Sequence, residues 1–264
     1  MAFQSYNLMD IGNIRWIGFG NFKKLFMPNA SNSFYVILGN TVKWVCVSLL
    51  FQFLIGFGVA LLLKKKFKGS GIYQGLVFFP WAVSGFVIGI IWRWMFNGTS
   101  GVINDILSRI GIISEPIGWL ADKNTALLSC IVANIWYGVP FFTIMITAAL
   151  RGVSEDLYEA AALDGSSEIH TFFTVTLPLI WNNIRTTLTF YIISTINLSF
   201  LFVQIMTDGG PNGKTEVALN YMYKQAYGAG VYGYGMAIGV VVFIFSFVLA
   251  AVVNKITDRE VLEF

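Results

Sequence analysis

The sequence predicts an all-α integral membrane protein, a polytopic helical bundle with about five spans. Of its 264 residues, 56% are hydrophobic and only 12% are charged, whereas an average soluble domain carries roughly 25% charge. Its mean hydropathy is +0.69. Several apolar stretches reach the roughly 20 residues that a helix needs to cross about 30 Å of hydrocarbon. Each is expected to be helical, because backbone polar groups in lipid must be bonded within the segment.

Five stretches are predicted to span the membrane: residues 38–63, 73–96, 126–150, 186–206 and 234–254. Residues 1–37 are too polar to span and lack the basic-then-apolar pattern of a cleavable signal peptide, so insertion is expected to begin with a span of the mature chain. Within them, WIGFGNFKKLF (16–26) has two open interpretations. It is an amphipathic segment along the membrane interface, with Lys23 and Lys24 facing headgroups, or an ordered extramembrane lead-in.

The orientation is predicted from the basic run KKKFK (64–68) that ends the first span. Positive residues next to a span favour the cytoplasmic side. The loops on the two sides contain equal numbers of lysines and arginines. The orientation is therefore decided by which of these residues lie next to the spans. We therefore expect the N-terminus outside, the C-terminus in the cytoplasm, and a cell membrane location with multiple passes.

The longest polar interruption, SEDLYEAAALDGSSEIHTFFTVTLP (154–178), is predicted to face the cytosol as two short helices joined at a glycine. We call it the elbow. Ser154 can cap the first helix and Gly165 can end it. Ser166 and Ser167 can cap a second helix, which runs to Pro178, where a kink or the next element begins.

The sequence gives little support for a catalytic site, a metal site or a nucleotide-binding site. His170 is the only histidine, so we expect no catalytic triad and no metal site. Cys46 and Cys130 lie in different spans and are interpreted as buried apolar residues. GGPNGKT (209–215) ends like a phosphate-binding loop, but Asp208 stands where that motif needs its first glycine, so a turn is expected. The small, scattered net charge of +3 gives no support for nucleic-acid binding.

The spans themselves are nearly free of ionisable groups. Lys43 and Arg93 are placed near outer span ends, where long side chains reach the interface. A proton- or ion-coupled carrier usually needs carboxylates or histidines at membrane depth. The sequence therefore argues against that class, although a self-sufficient carrier is kept as a rival hypothesis.

EAAALDG (159–165), followed nine residues later by VTLP (175–178), resembles the EAA motif of the permease subunits of binding-protein-dependent ABC importers. Val175 stands where isoleucine is usual. TDGGP (207–211), YMYKQAY (221–227) and IGFGNFKKLF (17–26) make the chain most similar to carbohydrate importers of the maltose and glycerol-phosphate type. The resemblance covers nearly the whole chain. It implies a type I importer permease domain over residues 38–264 and a family core of six spans. AFQSYNLMD (2–10) resembles the outer end of the first family span, so that either the start codon is placed late, or that span is dispensable or supplied otherwise.

In that family the elbow is the coupling helix that fits a cleft on a cytoplasmic ATPase. The resemblance implies a second permease, two copies of the ABC ATPase that bind ATP and Mg, an extracytoplasmic solute-binding protein, and no cofactor in this chain. A solvated acidic face is the alternative for the elbow carboxylates. The coupling residues implied are Glu159, Ala160, Ala161, Asp164, Gly165, Leu177 and Pro178.

For the solute path, Asn134, Tyr137, Gly138 and Phe141 recur at three- and four-residue spacing and share one helical face. In similar sugar permeases this helix lines the cavity, and these groups could bond to and stack on a sugar. Helix packing with Gly138 at a close contact is the alternative. The span after the elbow adds polar candidates, of which Ser194 and Asn197 are preferred to Thr195 and Ser199. A polyol or glycerol-phosphate-like cargo remains open beside a carbohydrate.

Overall fold

The computed structural model describes residues 1–27, 34–64 and 68–258. Parts of the basic run (65–67) and of the tail (259–264) lie outside the described residues. Two strands, β1 and β2, and eleven helices follow in chain order: β1 (Gln4–Ser5), β2 (Arg15–Trp16), α1 (Gly20–Phe26), α2 (Phe34–Lys64), α3 (Ser70–Ala82), α4 (Gly85–Met95), α5 (Val102–Arg109), α6 (Ala126–Arg151), α7 (Glu155–Leu163), α8 (Glu168–Thr171), α9 (Leu177–Met206), α10 (Ala218–Tyr223) and α11 (Tyr232–Ile256).

Four helical stretches are long and apolar enough to cross a membrane: α2, α6, the continuous stretch Glu168–Met206, and α11. The predicted span 73–96 is wrong as a single helix. The chain bends by 94° between α3 and α4, because Val83 and Ser84 adopt extended backbone angles. Pro80 lies inside α3 and cannot donate a helical hydrogen bond. If the bent pair counts as one broken span, the described residues contain five.

Pro178 marks the start of the next helix, which is one of the two alternatives predicted for it, and the second helix of the elbow is continuous with that helix. α8 passes through a π-helical turn (Phe172–Thr176) directly into α9. In that turn the Leu177 N–H donates to the Phe172 carbonyl five residues back. Pro178 sits in the first turn of α9, where its missing N–H is tolerated. The predicted span 186–206 lies within α9, which begins earlier, at Leu177, and ends at the same residue, Met206.

The N-terminal residues form a small ordered unit rather than one amphipathic helix. Trp16 lies on β2, which pairs antiparallel with β1 so that Gln4 faces Trp16. Only Gly20–Phe26 is helical. The buried side chain of Asn21 holds the unit together by donating to the carbonyls of Ala2 (2.8 Å) and Gln4 (3.0 Å). The expectation of helical spacing from Trp16 to Phe26 is therefore wrong.

Helices α2, α6 and α9 form the centre of the bundle, with two apolar clusters stacked along them. One cluster, near the elbow, contains Phe142, Ile146 and Ile180. The other, toward the opposite end, contains Trp44 and Phe202. We call these two ends of the molecule the elbow end and the opposite end.

At the opposite end, the turn that follows α9 is bonded to the start of α2. The Asn40 side chain donates to the carbonyls of Lys214 (2.9 Å) and Glu216 (3.0 Å). Glu216 is only 5% exposed and pairs with Lys224 at 3.0 Å. Burial alone would lower the pKa of Lys224, but its hydrogen bonds to Glu216 and Asp208 and their charges raise the pKa above its usual value.

The stretch that resembles a phosphate-binding loop belongs to this turn. Asp208 and Asn212 adopt left-handed backbone angles, with φ of 47° and 52°, as residues in tight turns do. The Lys214 side chain is exposed and its carbonyl is bonded to Asn40. The prediction of a turn is confirmed.

Candidate functional site

The first helix of the elbow, α7, begins and ends as its sequence predicts. The Ser154 side chain accepts a hydrogen bond from the Asp156 N–H (3.3 Å), which satisfies one free donor of the first turn. At its other end Gly165 has φ of +74°. Its N–H donates to the Ala162 carbonyl and the next N–H, that of Ser166, reaches the Ala161 carbonyl, both at 3.0 Å. This bonding pattern is a Schellman motif, and its left-handed position favours glycine.

Contacts within the elbow, and between the helix ends beside it, fix where the elbow meets the bundle. The Tyr158 hydroxyl lies 3.1 Å from the Thr176 hydroxyl. The Lys64 ammonium, at the end of α2, lies 3.8 Å from the centre of the Tyr158 ring, a cation–π contact. Arg151, at the end of α6, donates to the Leu63 carbonyl (3.0 Å). The sequence reading used Lys64 only for orientation and missed Tyr158.

A cleft of about 1110 Å³ separates the elbow from the ends of α2 and α6. Glu155, Tyr158, Glu159 and Ala162 line it from one face of α7, consistent with their three- and four-residue spacing. Neither Glu155 nor Glu159 has an ion-pair partner among the described residues. The carboxylate of Glu159 is thus exposed and available to a cation from another protein.

The elbow also carries exposed apolar side chains, which the sequence reading missed. Leu163 is 89% exposed, and Ile169 and Phe173 are also largely exposed. No residue of α7 is buried. Water-exposed apolar side chains concentrated on one segment are typical of a docking surface. The signal was present in the sequence as large apolar residues within a polar interruption.

The remaining implied coupling residues occupy different environments. Ala160 and Asp164 are exposed and Ala161 is half-buried. Leu177 packs against the apolar cluster at the elbow end, and Pro178 is half-buried beside it. The elbow is therefore joined to the bundle through Leu177, while its tip projects away.

In α6, Asn134 and Gly138 pack against α2. Asn134 is fully buried, and its amide donates to the Ser48 hydroxyl (2.9 Å). The Gln52 amide donates to the Asn134 carbonyl (2.7 Å), and a Cβ added at Gly138 would lie 2.5 Å from the Gln52 nitrogen. These two residues have the environment that the packing alternative predicts.

Tyr137 and Phe141 have different neighbours from those of Asn134 and Gly138. The Tyr137 ring lies 5.7 Å from that of Phe202 on α9. The Phe141 ring lies 5.7 Å from Trp81, at the end of α3. Both side chains are half-buried and lie near the bend between α3 and α4. Their contact with solute stays a prediction.

Ser194 and Asn197 lie on an exposed face of α9, whereas Thr195 and Ser199 are buried. The Asn197 amide donates only to the Ile193 carbonyl within its own helix (3.3 Å). An amide facing hydrocarbon would be costly. This face therefore favours a covering other than lipid.

A group of buried polar side chains lies where α2, α6 and α9 meet. The Tyr191 hydroxyl is beside the side chains of Thr195, Gln52 and Asn134. The Tyr191 and Thr195 hydroxyls and the two amide oxygens have no hydrogen-bond partner among the described residues. Sequence reading missed Gln52 and Tyr191, although a glutamine within an apolar span is itself a signal of a polar contact.

A bundle of long apolar helices interrupted by a capped, protruding elbow defines a multi-span membrane component. Among the described residues, no group of three His, Cys, Asp or Glu side chains could hold a metal ion. The chain belongs to the family described as binding-protein-dependent transport system inner membrane component, whose model matches residues 52–262. It is thus a permease component of an ABC transport system.

Its relatives include a probable ABC transporter permease protein of Brucella suis biovar 1 (strain 1330), 30% identical over 257 residues, covering 97% of this chain and 88% of the relative. The trehalose/maltose transport system permease protein MalF of Thermococcus litoralis is 31% identical over 229 residues, covering 87% and 75%. Among solved structures, a bacterial ABC transporter involved in the import of the acidic polysaccharide alginate matches with a TM-score of 0.81 at 25% identity, covering 92% of this chain and 84% of that chain.

Proposed function

We propose that this chain is one transmembrane subunit of an ATP-driven importer for a carbohydrate, and that the elbow transmits the motion of a cytoplasmic ATPase to the spans. The assembly would contain a second permease, two ATPase copies that bind ATP and Mg, and an extracytoplasmic solute-binding protein. The N-terminus would lie outside and the C-terminus in the cytoplasm. This chain would hydrolyse nothing itself.

The observation that carries the coupling role is the geometry of the elbow. Its exposed apolar side chains, above all Leu163, need a protein surface to cover them. On the cleft side, the unpaired carboxylate of Glu159 suits a basic residue of the ATPase. Leu163 lies in α7, which the Gly165 turn joins to α8. From Glu168 the helical stretch runs unbroken to Met206, so a force applied at Leu163 passes through that turn into the membrane.

The cargo class is supported by the chemistry of the spans. Apart from Glu168, the first residue of the stretch Glu168–Met206 at the elbow end, none of the described membrane-crossing helices contains a carboxylate, which disfavours a proton-coupled carrier. Ser194 and Asn197 offer a hydroxyl and an amide on an exposed face, and Tyr137 and Phe141 offer aromatic surfaces, which together suit a neutral sugar. The trehalose/maltose permease among the relatives supports a sugar over a polyol or glycerol-phosphate-like cargo.

The coupling proposal is tested with the whole importer in proteoliposomes, by measuring ATP hydrolysis and sugar uptake in parallel. Leu163→Asp and Glu159→Ala are expected to reduce sugar-stimulated hydrolysis and uptake together, because both weaken the ATPase contact. Ile112→Asp is the matched control, since Ile112 is an exposed apolar residue in the loop at the opposite end. If Leu163→Asp behaves like Ile112→Asp, the elbow is not the docking surface.

Gly165 provides a second pair of variants. Gly165→Val is expected to uncouple the importer, because a β-branched residue is strained at φ of +74°. Gly165→Asn should retain most activity, since asparagine tolerates the left-handed region. Equal activity of the two variants would contradict a role for the elbow's bend.

A self-sufficient carrier is the rival function. It would move sugar in proteoliposomes that contain this chain without the ATPase subunits, and uptake would not depend on ATP. Uptake that requires both ATP and the ATPase would exclude it.

A further inference from the structure

We propose that residues 1–27 form an outer-leaflet anchor, in which an aromatic cluster inserts among lipid headgroups and fixes the outer ends of α2 and α11. The inference rests on the orientation given under the proposed function. The partner is a lipid surface, and the contact is made by Trp16 and Phe19.

The cluster is built around one ring. Phe3 lies 5.7 Å from Trp16, 5.4 Å from Phe19 and 5.3 Å from Phe22, measured between ring centres. Phe3 and Phe22 are half-buried, but Trp16 is 73% exposed and Phe19 is 67% exposed. Two large aromatic side chains displayed side by side are unfavourable in water and are typical of a protein at the membrane interface.

The unit is bonded directly to the end of a membrane-crossing helix. The Leu8 N–H donates to the Gly230 carbonyl (2.9 Å), and the Gly233 N–H donates to the Tyr6 carbonyl (3.0 Å). The Tyr6 ring lies 5.9 Å from that of Tyr232, the first residue of α11. The anchor therefore moves with α11 as one body.

The length of α11 places this attachment at the membrane boundary. From Tyr234 to Lys255 the helix rises about 31 Å at 1.5 Å per residue, which matches the hydrocarbon thickness of about 30 Å. Lys255 lies at the elbow end, where a basic side chain suits the cytoplasmic headgroups. Tyr234 then lies at the outer boundary, and the Lys24 ammonium lies 4.9 Å from the centre of its ring.

Two further features favour lipid over a protein partner. The Phe26 ring lies 5.8 Å from Phe34 and 6.2 Å from Tyr35, so the aromatic surface continues onto the exposed side of α2. Lys23 and Lys24 are both exposed next to it. Lys24 packs over Tyr234, and Lys23 is in position for headgroup phosphates. Aromatic rings flanked by lysine match the composition of interfacial segments.

The test places a nitroxide spin label at Phe19→Cys in the whole importer, reconstituted in oriented proteoliposomes. Cys46→Ser and Cys130→Ala remove the native thiols. Power saturation compares collisions with oxygen, which concentrates in lipid, and with a water-soluble nickel chelate added outside. Lys123→Cys is the matched control, because Lys123 is an exposed loop residue at the same end of the molecule.

We expect the ratio of oxygen to nickel accessibility at position 19 to exceed that at position 123 by several-fold. Equal ratios would overturn the anchor. A change at position 19 only when the solute-binding protein is added would assign the surface to that protein and also overturn it. With the ATPase subunits inside the vesicles, nickel reaching neither position would place both on the ATPase side, which contradicts the proposed orientation. Sugar-dependent ATP hydrolysis of the same sample tests the importer function separately.

Discussion

Replacing Gly138 with alanine tests how closely α6 approaches α2. The added Cβ would lie 2.5 Å from the Gln52 side-chain nitrogen and 2.6 Å from its Cδ and Oε1 atoms, whereas carbon contacts are comfortable at roughly 3.5–4.0 Å. Gln52 is fully buried, and it must move away from the Asn134 carbonyl to which it donates. The contact is therefore relieved only by breaking a buried hydrogen bond.

The expected cost of Gly138→Ala follows from three contributions. The Asn134 carbonyl loses its donor, which costs about 1 kcal/mol, and the buried Gln52 amide is left without an acceptor, which costs about 1–3 kcal/mol. Replacing glycine by alanine within a helix stabilises the helix by about 1 kcal/mol, which offsets part of that cost. We expect a net destabilisation of about 2 kcal/mol, measured from the free energy of unfolding in mixed micelles as the fraction of denaturing detergent rises.

Two controls separate this contact from a general intolerance of substitution. Gly58→Ala, on α2, should be neutral or slightly stabilising, because no atom lies within 4 Å of the added Cβ. In a Gln52→Ala background, Gly138→Ala should no longer destabilise, since the obstructing side chain is gone. If Gly138→Ala matches Gly58→Ala, or costs the same in both backgrounds, the close approach is refuted.

Two further predictions concern the opposite end. Asn40→Ala should lower the melting temperature, because the carbonyls of Lys214 and Glu216 lose a shared donor worth about 1 kcal/mol per hydrogen bond. An unchanged melting temperature would contradict the contact. Lys224→Met should lower the melting temperature at neutral pH, since Glu216 is left buried without its partner. The folded-state pKa of Lys224 is raised, so the ion pair stabilises fully below the unfolded pKa of about 10.4 and is lost as pH rises through the folded pKa. The difference from wild type should shrink only above about pH 10, and a constant difference would argue against the pair.

The elbow could be predicted residue by residue because its signals are local. Ser154, Gly165 and Ser167 act on backbone groups within a few positions, and each cap forms as expected. Neighbouring residues alone decide such features. The exposure of Leu163 was overlooked because helix propensity does not distinguish the two faces of a short surface helix.

The bend between α3 and α4 could not be predicted from hydropathy, which averages over a window of about 20 residues. Pro80 and Ser84 mark it, but prolines also occur inside intact helices here: Pro140 lies within α6. The outcome depends on tertiary contacts, such as that of Gly85 with Leu201 on α9.

The partners of α6 were equally inaccessible to sequence reading. Asn134 bonds to Ser48 and Gln52, which are 86 and 82 positions away in the chain. Periodicity shows which residues of α6 share a face, but the element that covers that face depends on the packing of the whole bundle. The same limitation applies to Trp16, whose strand pairing with Gln4 overrides its helical spacing.

The unbroken helical stretch from Glu168 to Met206 is 39 residues long, or about 58 Å at 1.5 Å per residue. If this stretch moves as a rigid body, a tilt of about 10° about its elbow end displaces its opposite end by about 10 Å. The π-helical turn is the place where part of that motion can be absorbed. The opposite end of the stretch leads into the turn whose Lys214 and Glu216 carbonyls accept hydrogen bonds from Asn40. A small movement of the elbow would in this way produce a larger displacement at the opposite end, with no other element having to change conformation.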